Sequence, residues 1–297
     1  MSKKVITFKK PFLLRRIGAS IIDLILVLIV GIFISFIIGK IYESNARYMR
    51  YKDTYNYYAI DSGLYNLKYG NKDVEQLNNF NESNVGYFYN FAYPSAKEDY
   101  DLMKKNSNLF DYDEKEKKYS IKENATENEI NAFYKKAYLE AINTYFDKYI
   151  NENSEAKEAK YYINAYNYIN VYISTAISML LAFLLFPLIF KDGKTLGKLL
   201  FRLKIISLKG DFKVTKLQVL FRQLLIILLE YACSIFFISL IYIPLSLIVS
   251  FIMMIASKKQ MALHDILCST LVVDELDTGD IKENQKIYLE VVGDEKK

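Results

Sequence analysis

The sequence predicts an all-α integral membrane protein with four transmembrane helices, or alternatively three, and a mainly helical extracytoplasmic domain. Three observations carry that class. The chain has 297 residues and is 52% hydrophobic although 25% of its residues are charged, an average that hides segregation along the chain. Its charge falls into blocks of +6 over residues 1–16, −3 over 40–168, +6 over 191–217 and −3 over 257–297. The apolar stretches between those blocks are long enough to cross a hydrocarbon core of about 30 Å.

Residues 1–16 form a basic cytoplasmic N-terminus, because Lys3, Lys4, Lys9, Lys10, Arg15 and Arg16 have no acid among them and basic flanks stay inside. Residues 17–39 are the first span, with Asp23 the sole ionisable group in 23 residues. As a helix they measure roughly 35 Å. The run is longer than a signal-peptide core and no small-residue cleavage site follows it, so it reads as a retained anchor.

Residues 40–168 then lie outside as a Tyr/Asn/Lys-rich domain, since a stretch of this length needs structure of its own. Ser95 with Glu98 and Thr126 with Glu129 have capping-box spacing. After Thr126, Ile130, Phe133, Tyr134, Ala137, Tyr138, Ala141, Ile142 and Tyr145 recur at three and four, an amphipathic helix. Residues 108–121 read as a hairpin around a charged turn, and from about Glu155 a helix runs into the second span.

That span, residues 169–190, returns to a basic cytoplasmic loop, 191–216. Residues 217–257 are apolar and divided by Pro244. Two short aliphatic runs, Leu203 to Leu208 and Thr270 to Val273, can pair as strands only on one side of the membrane. That favours a hairpin of third and fourth spans, near 217–238 and 242–257. Residues 258–297 are then a cytoplasmic His-Asp segment and acidic tail. If the apolar stretch crosses once, the count is three.

Composition excludes several chemistries. The cysteines are Cys233 and Cys268, and His264 is the single histidine, so no disulfide framework, zinc site or serine-type triad is expected. No cofactor and no metal are expected either. Asp111 and Asp113 are spaced for calcium, but Lys115 stands where a third oxygen belongs. Gly193-Lys194-Thr195 resembles a phosphate loop, yet Leu188 occupies the position of its first glycine. Residues 40–168 balance acids and bases and offer nucleic acid no electrostatic match. The 26 tyrosines read as the codon bias of an AT-rich genome.

The chemistry concentrates in a few charged residues in or beside the apolar runs. Arg16, Ala19 and Asp23 share one helical stripe, with Asp23 about 10 Å deeper than Arg16. An ionised carboxylate in hydrocarbon must be paired or hydrated, so Asp23 faces the interior or a wet cavity. Arg222, two turns into a helix that Thr215 can cap with Gln218 completing the box, matches its depth and is its expected partner. The group reads as a proton or cation site, or as a structural ion pair fixing helix packing. Glu230 lies deeper and is a proton carrier or a neutral hydrogen-bonded acid. His264 and Asp265 are adjacent and do not share a helix face, so they cap a turn or join the Arg16–Arg222 cluster.

Several pieces resemble the RDD family of membrane proteins. They are RRIGASIID with Arg16 and Asp23, DGKTLGKLLFRLKIISLKG, Arg222 before the third span, and LHDILCSTLVV with His264, Asp265 and Thr270. The resemblance covers residues 12–40 and about 170–275 and implies a fold rather than an activity, with Asp265 as the second aspartate. The large extracytoplasmic insertion departs from the compact family pattern. Two functions follow as expectations. The first is transport or ion exchange of a proton or small cation through intramembrane carboxylates. The second is a membrane-anchored binding or assembly protein whose external domain takes a protein or ligand. No enzyme is expected. The expected location is the cell membrane, multi-pass, with the lipid bilayer as partner.

Overall fold

Two helices in the computed structural model are long and apolar enough to cross a membrane: Leu13–Glu43, of 31 residues, and Ser154–Ile189, of 36. The structure describes residues 6–9, 11–68, 73–209, 212–231, 245–257, 259–275 and 289–292. It resolves into two units, residues 1–39 with 169–297, and residues 40–168.

In the first unit the Leu13–Glu43 helix buries only one stripe, Arg16, Ala19, Asp23 and Val27. Its other faces are apolar and exposed, with Ile32 at 71% and Phe33 at 65%. Apolar surface of that extent is what a bilayer covers and water does not. The second long helix is α-helical over Ser154–Met179, widens to a π-helical turn at Leu180–Leu185 and ends as Phe186–Ile189. Pro187 accounts for the widening, because its ring removes one donor and crowds the carbonyl four residues back. Val27, Met179, Ala182, Phe183 and Ile226 pack the two long helices against the turn Ile226–Tyr231.

After the second helix the chain reverses through Asp192 and Gly193, both at positive φ, into the short helix Leu196–Leu200. Strand Leu203–Ser207 pairs antiparallel with Thr270–Asp274, Ser207 opposite Thr270. This ribbon is buried on both faces and packs Leu203, Ile205 and Val272 against Ala19. Residues 6–9 and 289–292 form a parallel pair.

Helix Lys216–Leu225 leads into the Ile226–Tyr231 turn, and helix Leu245–Ala256 follows. The expected crossings at 217–238 and 242–257 fall partly outside the described residues, as do Cys233 and the Pro244 division.

The second unit, residues 40–168, is built on aromatic packing. Tyr89 and Tyr100 stack with centroids 4.4 Å apart, beside buried Phe88, Phe133 and Tyr138. Every phenol that enters needs a partner, and Tyr89 donates to the Ala137 carbonyl at 2.9 Å and Tyr138 to that of Leu64 at 3.1 Å. Helix Glu127–Glu140 starts in the expected capping box of Thr126 and Glu129. Strands Phe110–Asp113 and Lys118–Ile121 form the expected hairpin. The Asp113 carboxylate accepts from Lys115 N at 2.8 Å and shapes the turn.

One capping expectation fails. Residues Pro94–Ala96 form a 3-10 turn, and the following helix, Lys97–Asn106, starts from Ala96 with no side-chain cap. Pro94 sets that turn, which moves the helix start past Ser95.

Candidate functional site

Asp23 reaches the centre of the first unit because Arg16, Ala19 and Asp23 share the buried stripe of their helix. Its carboxylate, 3% exposed, accepts from Thr195 Oγ1 at 2.6 Å and from Gly197 N at 2.7 Å. Thr195 begins the short helix Leu196–Leu200, its own Oγ1 accepting from Lys198 N. Asp23 therefore binds backbone and hydroxyl donors at a helix start, where unpaired N–H groups favour an anion. Gly197 is required by close approach, since a Cβ there would lie 2.0 Å from the Ala19 carbonyl oxygen.

Asp265 is the hub. It sits in the short helix Leu263–Leu267 and is fully buried. Its Oδ1 accepts from Arg222 Nη2 at 2.8 Å and Nε at 3.1 Å, and its Oδ2 from Arg16 Nη2 at 3.0 Å. Thr270 Oγ1 and Ala262 N add neutral donors at 3.3 Å each. Burial pushes the Asp265 carboxyl upward, and Arg222, His264 and Arg16 outweigh it, so its pKa lies well below the carboxylate range. His264 Nε2 stands 3.6 Å from Asp265 Oδ1, an electrostatic neighbour beyond hydrogen-bond reach.

The expected Asp23–Arg222 pair is not what the structure forms. Both of Arg222's bonding nitrogens go to Asp265, and both carboxylate oxygens of Asp23 go to Thr195 and Gly197. Matched depth places two groups at one height but leaves their direction around the helix axis open, and here the directions differ. Arg16 and Arg222 are instead joined through Asp265.

Thr215 caps its helix by accepting from Gln218 N, as expected. Gln218 does not return the bond. Its Nε2 braces the ribbon instead, donating to Cys268 O at 2.9 Å and Ser207 Oγ at 3.1 Å. Glu230 belongs by its backbone to the Ile226–Tyr231 turn, and its side chain lies outside the described residues.

A cavity of about 220 Å³ adjoins this network. Arg16, Asp23, Lys198, Arg222 and His264 contribute to its walls, together with apolar residues such as Ile21 and Phe251. Burial and the neighbouring Arg222 lower the Lys198 amine to about 8. Lys198 Nζ donates to Thr195 Oγ1 at 3.3 Å.

Thr195, Gly197 and Lys198 enter the site without a role assigned from sequence. Their signal lay in the stretch DGKTLGKLL, where a threonine and a glycine two apart lead a short helix. Arg15, read from the sequence only as part of the basic N-terminus, has a structural role as well. It bonds Asp274 and the Phe201 carbonyl, tying the first helix to the ribbon.

No curated protein and no solved structure matches the chain. The model of the RDD family matches residues 137–269, a range that takes in Thr195, Gly197, Lys198, Arg222 and Asp265 and begins after Arg16 and Asp23. With two helices of membrane-crossing length, Ser154–Ile189 inside the matched range and Leu13–Glu43 ahead of it, the match supports a membrane-embedded protein. Residues 137–269 carry an RDD family domain.

Proposed function

We propose that this is a multi-pass cell-membrane protein that moves or exchanges a small ion at the Asp23 cavity. The observation that carries the reading is the cavity itself, which brings space to a buried carboxylate held by two neutral donors. Among the described residues no cation contacts this carboxylate directly, and an intramembrane carboxylate of that kind marks an ion or proton pathway. A metal cation would meet Arg16, Lys198 and Arg222 in the same walls, so the proton is the cation these walls suit best. In this reading the protein is a carrier and not an enzyme.

The basic N-terminus supports a cytoplasmic start, with residues 40–168 as an extracytoplasmic insertion between the first two spans. The paired ribbon supports four crossings. Strands Leu203–Ser207 and Thr270–Asp274 share one sheet, so a chain that enters the membrane between them must also return.

The test is flux in proteoliposomes under imposed proton, sodium and potassium gradients. The wild type should move protons, and Asp23→Asn should abolish the flux while leaving helicity and thermal stability intact. The amide can still accept from Gly197 N and donate to Thr195 Oγ1. A wild type that moves none of the three ions refutes the proposal. A second reading, binding through residues 40–168, draws on exposed Phe91, 73% accessible with its ring beside Tyr87. That reading would then be the better account.

A further inference from the structure

The cavity at Arg16 and Arg222 has a chemistry that a proton alone does not use. Arg222 is 1% exposed, and its Nη1 is buried without a hydrogen-bond acceptor while Nε and Nη2 are committed to Asp265. A guanidinium N–H in that position is costly to leave unmet, and among the described residues no protein atom accepts from it. Three cationic side chains, Arg16, Lys198 and Arg222, contribute to the cavity walls. The two carboxylates near them, Asp23 and Asp265, leave an excess of one positive charge.

The rest of the wall is of the opposite kind. Ile21, Leu24 and Phe251 line the cavity and are also exposed, at 51%, 38% and 44%. Two of them lie on the long apolar helix Leu13–Glu43. The cavity thus runs from a cationic end to an apolar surface that a bilayer would cover. Arg16 stands one residue before the apolar run starting at Ile17, the level at which headgroups meet acyl chains.

We propose that this cavity seats the phosphate of an anionic phospholipid drawn from the surrounding leaflet. The phosphate oxygens accept from Arg222 Nη1 and Lys198, and the acyl chains follow Ile21, Leu24 and Phe251. A free inorganic anion satisfies the first half and leaves the apolar half uncovered, whereas a zwitterionic lipid brings a second charge that the arginines repel. Charge-assisted bonds to phosphate are the stronger class. The proposal rests on the membrane-embedded reading and not on ion movement.

The experiment uses the full chain in phosphatidylcholine nanodiscs doped with phosphatidylglycerol, with retained lipid counted by native mass spectrometry. Detergent-solubilised protein is compared by thermal shift with phosphatidylglycerol, phosphatidylcholine or inorganic phosphate added. Phosphatidylglycerol should be retained preferentially and should raise the melting temperature, with phosphatidylcholine and inorganic phosphate having no such effect. Lys198→Gln should weaken retention roughly fivefold, the usual effect of one basic group at a membrane surface. Arg222→Lys, which keeps a charge against Asp265 and removes Nη1, should weaken it by a similar factor. Should Arg222→Lys fail to fold, Lys198→Gln decides alone.

Equal retention of both lipids overturns the proposal. So does unchanged phosphatidylglycerol binding in Lys198→Gln, which would place the lipid elsewhere. A matching thermal shift from inorganic phosphate would make the site one for a soluble anion. Ion flux is scored separately in pure phosphatidylcholine vesicles, so lipid binding without flux refutes the transport reading alone, and flux without lipid preference refutes this one alone.

Discussion

Asp265→Asn is the sharpest perturbation this arrangement allows. The carboxylate is fully buried and takes three charge-assisted bonds, two from Arg222 and one from Arg16, at 2.8–3.1 Å. The amide keeps one acceptor oxygen but turns an NH2 toward a guanidinium, and it leaves two buried cations facing a neutral group. Bonds to charged groups contribute about 1.5–3 kcal/mol each, and they are not additive within one network. Breaking a buried pair by removing one partner costs about 3–5 kcal/mol, because the survivors are uncompensated. The same range is expected here. The assay is equilibrium unfolding of the full chain in mixed dodecyl maltoside and sodium dodecyl sulfate micelles, followed by circular dichroism. In a cycle with Arg222→Gln, the double variant should be clearly less destabilised than the sum of the singles. An Asp265→Asn cost below about 1 kcal/mol, or strict additivity with Arg222→Gln, would refute the hub.

Three further outcomes follow from the geometry. Gly197→Ala should cost about 1–3 kcal/mol or more by overpacking, since its Cβ would meet the Ala19 carbonyl oxygen at 2.0 Å. Gly31→Ala, whose nearest neighbour is Ser178 Oγ at 3.4 Å, should be neutral or stabilising in the same unfolding assay. Thr126→Ala removes an N-cap side chain and should cost about 1 kcal/mol, read as a lower melting temperature of residues 40–168 within the full chain. For pH, Lys198 titrates near 8 in the folded protein against an ordinary value of 10.5. Between those values the unfolded chain holds the proton and the folded one does not, so this group makes stability rise with pH across that window. Lys198→Gln should remove that rise. Asp265 acts at the other end. Its carboxyl is depressed from an ordinary value of 3.8, so its contribution is present above that value and is lost as pH falls through the folded pKa.

Much of the local structure was legible because it rests on spacing. The Arg16, Ala19, Asp23 stripe is the face the first helix buries, since a 3.6-residue period determines which side chains align. Thr126 and Thr215 cap their helices because a threonine three residues ahead of a glutamate or glutamine meets the orphan N–H groups at a helix start. The β-branched run at 203–207 found its partner at 270–274. Partner choice was less legible. Asp23 and Arg222 both lie at the cytoplasmic end of their helices in the four-span reading, yet the sequence carries no information on their rotation about the helix axes. It was Gly197, small enough to bring a backbone N–H against the first helix, that gave Asp23 its donor. The tyrosines show a different limit. Whatever set their abundance, Tyr89, Tyr100 and Tyr138 serve as interior side chains with hydroxyls spent on local acceptors.

The polar groups of the first helix also meet their partners late in synthesis. Thr195 and Gly197 follow Asp23 by 172 and 174 positions, and Asp265 follows Arg16 by 249. At about 5–20 residues per second of translation, the donors for Asp23 emerge roughly 9–35 s after the helix that needs them. During that interval the nascent helix carries a carboxylate and a guanidinium with none of their final contacts. A chain truncated before Thr195 keeps that state permanently, so its N-terminal helix holds a carboxylate that never meets its native donors.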